Sequence, residues 1–183
     1  MKKEDQMTNL TLANLLDVVE SVNRKKCYQL LIDNMARFEK AKGSSYNHQA
    51  WEGGYLDHIR EVMSISLTLY SALNSMRPLP FSINDAVLVL FLHDLEKPWK
   101  DAESIWDFTT KAGRKKFRLD KLEEYDIQLS FEQSNALEYV EGEGDDYSSE
   151  RRIMNEMAAF CHMCDVASAR IWHDKPEQKI DAV

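Results

Sequence analysis

Apolar residues recur along this chain with two rhythms. From Ala86 to Leu92 they are continuous, seven in succession, ending on His93-Asp94 and followed by Glu96, Lys97 and Pro98. Such a run cannot turn all its side chains to one side, so it predicts a helix buried all round, with Pro98 opposing continuation past Lys97. Elsewhere the apolar positions return at helical spacing. Leu12, Leu15, Leu16 and Val19 mark a first helix, and Cys27, Leu30, Leu31, Met35 and Phe38 a second over residues 24–42. Leu56, Ile59, Met63, Leu67, Tyr70 and Leu73 stripe a long helix over 55–76, and Met154, Met157, Ala158, Cys161, Cys164, Ala167 and Ile171 a closing helix over 151–172. Thr11 and Ser82 suit N-caps, and Ser130 with Gln133 forms a capping box opening a helix to about Val140. The pattern predicts an all-α, single-domain helical bundle of about six to eight helices. Residues 1–44 supply scaffold helices, 45–172 a core with a helical insert near 99–149, and 173–183 a polar tail.

Composition narrows this little. The chain of 183 residues is 44% hydrophobic and 30% charged, as soluble globular proteins are. Six Gly and four Pro leave few turns for an all-β fold. A formal net charge of −8 disfavours long nucleic acid and acidic lipid as partners. The opening MKKEDQMTNL lacks the apolar stretch of a signal peptide, and no apolar run is long enough for a membrane span. Cys161 and Cys164 form a C-x-x-C, but inside an apolar helical pattern, which favours buried core thiols over a redox pair or zinc site. A reducing, cytoplasmic location is the expectation.

The chemistry lies in four residues. His93 and Asp94 end the greasy central run, His58 lies in the first turns of the long helix, and Asp165 lies within the closing helix. A polar pair delivered to the interior is costly without partners. Two imidazoles and two carboxylates drawn from three apolar helices suit one divalent cation such as Mn, Fe, Co, Ni, Zn or Mg.

Three segments carry a resemblance. HQAWEGGYLDH is similar to the opening H-x-x-x-x-G-G-L-x-x-H of the HD-domain metal-dependent phosphohydrolase superfamily. LFLHDLEK resembles its L-L-H-D-I-G-K core, with Glu96 in place of the usual Gly, and EMAAFCHMCDVASA its closing E-x-x-x-x-x-H-x-A-D. The likeness spans residues 45–172. It implies a bundle of the HD-domain type with His58, His93, Asp94 and Asp165 as ligands of one metal ion. Two-metal members carry further histidines before the last ligand, and residues 95–161 hold none. It also implies hydrolysis of a phosphoester or phosphoanhydride, with Asp94 joining ligation to steering of water and Lys97 neutralising charge or orienting Asp94.

Size and charge favour a small nucleotide as substrate over a polymer. His48, Trp51, His162 and Arg170 are the candidate substrate contacts. Trp51 serves equally as a packing anchor, and Arg170 equally as a partner for a structural carboxylate. The basic run Lys111, Arg114, Lys115, Lys116, Arg118 and Lys121 reads either as a solvated helix face or as a lid for phosphates. Two rival functions stand beside the hydrolase: a non-catalytic HD module binding a nucleotide or protein partner, and a 3′-end ribonuclease. An oligomer is compatible with all three.

Overall fold

The central helix, α4 (Ile83–Leu92), owes its place to its sequence. Ser82 caps it, its hydroxyl accepting the Asn84 N–H at 3.1 Å, and Ala86 through Leu92 are all buried. Neighbours on every side make that possible: α1 (Leu12–Leu16), α3 (Gly54–Met76), α6 (Phe131–Tyr139) and α7 (Glu156–Ile171) all pack against it. Each large apolar side chain so enclosed contributes about 1.5–3 kcal/mol relative to exposure. The computed structural model describes residues 10–44, 48–100, 106–172 and 174–175, and among these it contains seven α-helices and no strand. The all-α expectation holds, with one continuous core.

The flanking helices follow from their own patterns. The Thr11 capping box with Asn14 opens α1. The second helix, α2 (Ser21–Phe38), starts and ends earlier than the 24–42 expected, and meets the short 3-10 turn Lys97–Trp99 that follows α4. The capping box of Ser130 and Gln133 opens α6, and Gln133 also donates to Asp85 at 2.6 Å, tying α6 to the start of α4.

The closing helix begins at Glu156 rather than at Arg151. Asn155 is its cap, accepting the Ala158 N–H, and Asn155 is itself held by Asn135 and the Glu132 carbonyl of α6. The polar stretch before it is therefore committed to α6 and not to another turn of α7. The 99–149 segment contributes α5 (Lys111–Glu124) as well as α6. The ring of Phe117 in α5 gathers Trp99, Phe108 and Trp106 at centroid distances of 5.1, 5.2 and 5.9 Å. These aromatics anchor α5 to the turn below α4.

Candidate metal centre

Three helices deliver the four expected donors. The Gly53-Gly54 pair starts α3: Gly53 adopts a left-handed φ of 79°, and a Cβ on Gly54 would sit 1.9 Å from the Gln49 carbonyl oxygen. That close turn sets His58 in the second turn of α3, fully buried. His93 is the C-cap of α4, so it and Asp94 leave the apolar helix where it breaks into the tight turn before Pro98. Asp165 projects from the middle of α7.

Their ligating atoms converge. His58 Nε2 lies 3.3 Å from His93 Nε2, 3.3 Å from Asp94 Oδ2 and 3.2 Å from Asp165 Oδ1. His93 Nε2 lies 3.2 Å from Asp94 Oδ2 and 3.6 Å from Asp165 Oδ1. Donor atoms about 2.1 Å from one shared ion, at tetrahedral or octahedral angles, stand roughly 3.0–3.4 Å apart. Four of the five distances fall in that range, and the His93–Asp165 separation of 3.6 Å lies just above it.

Both imidazoles are oriented from behind. His93 Nδ1 is 2.7 Å from the Leu90 carbonyl, which can only accept, so Nδ1 carries the proton. His58 Nδ1 is 3.1 Å from Ser168 Oγ, which in turn donates to Glu61. Each ring thus turns Nε2 toward the other and toward two carboxylates. Such an arrangement calls for positive charge at its focus, which a further proton on His93 or a cation supplies. The electrostatics agree. Burial opposes a charged His93, yet the Asp94 and Asp165 carboxylates outweigh it and raise its pKa to about 10. Burial likewise opposes ionisation of Asp94 and Asp165. The Lys97 and His93 charges nevertheless hold Asp94 well below the usual carboxylate range, and hydrogen bonds from the two histidines hold Asp165 below it.

Asp94 is shared. The Lys97 ammonium pairs with the same Oδ2 that faces the histidines. His58, His93 and Asp165 form one group that could hold a metal ion, and an oxygen of Asp94 also lies close to Glu96 and Glu141. We count Asp94 with the centre because its Oδ2 touches both imidazoles. Access is from the side of Asp165 and Lys97, whose side chains are 19% and 16% exposed against 5% for Asp94.

The other expected residues fall at differing distances. His48 is half-buried with its ring centroid 5.3 Å from that of His58, and burial together with the Lys97 charge lowers its pKa to about 4. Trp51 spends its indole N–H on Asp57 at 2.8 Å, at the start of α3. His162 shares a face of α7 with Asp165 but places Nδ1 2.7 Å from the Val140 carbonyl and lies over Gly142. Arg170 is exposed in the last turn of α7.

The basic run resolves into ion pairs. Lys111 reaches Glu138 and Asp146, Lys115 Glu138, Arg114 Glu141, Lys116 Asp120, and Lys121 Glu124. Arg118 is buried and reaches the turn after α4, donating to the His93 carbonyl at 2.9 Å and pairing with Glu96 at 3.4 Å. Glu96, at the position where glycine was expected, is thus a buried partner of Arg118. Sequence reasoning missed the supporting roles of Gln49, Glu61, Ser168 and Arg118. The available signal was spacing, since Glu61 and Ser168 each follow a ligand by three residues and share its helix face. No family model, curated protein or solved structure matches this chain.

Proposed function

We propose that the protein is a phosphohydrolase of the HD-domain type that uses one divalent metal ion to cleave a phosphoester or phosphoanhydride of a small nucleotide. The observation that carries this reading is the convergence of His58, His93, Asp94 and Asp165, with each imidazole Nε2 3.2–3.6 Å from the other and from both carboxylates and both Nδ1 positions already engaged. The three HD-like motifs supply the reaction class, and the net charge of −8 favours a small substrate. Mn, Co, Ni, Fe, Zn and Mg all suit the donor set, and such an ion supplies Lewis acidity toward water and a phosphoryl oxygen.

The chain's own groups then have distinct work. Asp94, kept ionised beside Lys97, would join ligation to orienting the water. Lys97 balances the charge that grows on the phosphoryl oxygens; burial opposes its charge, but the Asp94 carboxylate keeps it protonated. His48, neutral at physiological pH, offers a hydrogen bond to substrate at the edge of the centre. Trp51, His162 and Arg170 lie farther out, as candidates for contact with the base or the remaining phosphates.

One observation favours a second reading, a non-catalytic module that binds a nucleotide or protein partner: Lys97 already neutralises Asp94, leaving three unshared donors. The 3′-end ribonuclease draws less support, because all six cations of the 111–121 run are spent on carboxylates.

Elemental analysis of the purified protein, with a nucleotide panel on wild type and on Asp94→Ala and Asp165→Ala, tests the proposal. About one equivalent of transition metal or Mg and release of phosphate or pyrophosphate are expected, both falling to background in the variants. Metal and nucleotide binding without turnover would favour the module. Neither metal nor turnover would sink the hydrolase.

A further inference from the structure

Behind His58 lies a chain of polar groups that the four-donor centre does not account for. Ser168, one turn beyond Asp165 in α7, is fully buried, and its Oγ stands 2.5 Å from Glu61 Oε2 of α3. Two oxygens that close need a proton between them. The serine hydroxyl is the donor of this pair and a Glu61 carboxylate oxygen its acceptor. What Ser168 turns toward His58 Nδ1, 3.1 Å away, is a lone pair. The proton between them must then belong to the imidazole. In the neutral ring this leaves the Nε2 lone pair on the side facing His93, Asp94 and Asp165, the side on which a metal-free protein can hold a second proton between Nε2 and the carboxylates.

Gln49 completes the chain. It is 4% exposed, donates from Nε2 to Glu61 Oε2 at 2.8 Å and lies 3.3 Å from Ser168 Oγ. Its backbone is strained for a non-glycine residue, at a φ of 42°. Two glycines hold it there. Gly43 donates its N–H to the Gln49 carbonyl at 2.8 Å, and a Cβ on Gly43 would come within 2.7 Å of Gln49 Cβ. Gly54 leaves room for the same carbonyl on the other side. A loop residue held this firmly, with its amide aimed at Glu61, also fixes the adjacent His48.

We propose that Gln49, Glu61 and Ser168 form a positioning relay that fixes His58 as the Nδ1–H tautomer, ready to ligate through Nε2, and anchors the loop carrying His48. The relay touches no reacting atom; it acts through His58. Its effect on metal affinity rests on the proposed metal centre, whereas its effect on the tautomer does not.

Two-bond proton–nitrogen NMR of metal-free wild type should show the His58 proton on Nδ1, and Ser168→Ala should move population to the Nε2–H form. Mn²⁺ titration should show Ser168→Ala binding about 10–100-fold more weakly than wild type, the range for loss of a group that orients a ligating histidine. A wild-type His58 protonated on Nε2 alone would overturn the relay whether or not the variant folds. So would a folded Ser168→Ala that keeps the wild-type tautomer and Mn²⁺ affinity. If wild type takes up no Mn²⁺, the metal centre fails and the tautomer measurement decides the relay by itself.

Discussion

At His93 the proposed metal ion would compete with a proton for one nitrogen. Its pKa, raised from 6.5 to about 10 by the neighbouring carboxylates against the cost of burial, lies above the unfolded value. The stabilisation is therefore complete below about pH 6.5 and is lost as pH rises through about 10. Asp94 and Asp165 work in the opposite sense. Their values lie below the ordinary 3.8, so their contribution is present above that pH and fades as acid titrates them. Urea unfolding of the metal-free protein should thus show stability falling between pH 7 and 10, with a flatter profile in His93→Gln. Mn²⁺ affinity should climb over the same interval by up to about tenfold per pH unit, because each ion bound displaces a proton. The four converging side chains were legible from residue type and motif. Gln49, Glu61 and Ser168 were not, because a polar residue beside an apolar stripe looks the same in sequence whether it faces water or a buried ring.

Among the elements, the join between α4 and α5 carries the sharpest energetic consequence. The Arg118 guanidinium reaches the main chain at His93 and the buried Glu96, whose pKa is pushed up by burial and by Asp94. Removing one partner leaves an uncompensated buried charge. Arg118→Ala should cost about 3–5 kcal/mol in denaturant unfolding. The double change Glu96→Leu with Arg118→Met should cost less than either single one, since no charge is then stranded. A strictly additive result would mean that the pair does not interact. Local signals made the helix starts readable at Thr11, Ser82 and Ser130, where cap and partner lie three residues apart or fewer. They failed at α7, because Asn155 is committed to Asn135 across the bundle, and such a tie has no local signature. Of the two readings of the basic run, a solvated helix face or a phosphate lid, the ion pairs agree with the first, and its ties to Glu138, Glu141 and Asp146 beyond α5 have no local signature either.

For the whole molecule, the three cysteines report on integrity. Cys27, Cys161 and Cys164 are free and buried, and burial pushes Cys27 and Cys164 up to about 12 and Cys161 well above the ordinary thiol value. They should resist a thiol-specific chromogenic reagent at pH 8 in the native state and react, all three, once the protein is unfolded. Fast native labelling would mean that the packing around α4 opens readily. The C-x-x-C is therefore core packing, as its apolar setting indicated. The α5–α6 ion pairs are largely exposed, and exposed pairs of this kind contribute about 0–1 kcal/mol each, less in high salt. The tertiary fold rests on the apolar interior instead. The centre lies on a seam of that interior, for His58, His93 with Asp94, and Asp165 belong to three different helices. An ion seated among them would act as a rivet, its grip shared by α3, α4 and α7, so that losing it would slacken the joint between these helices as well as silence the chemistry.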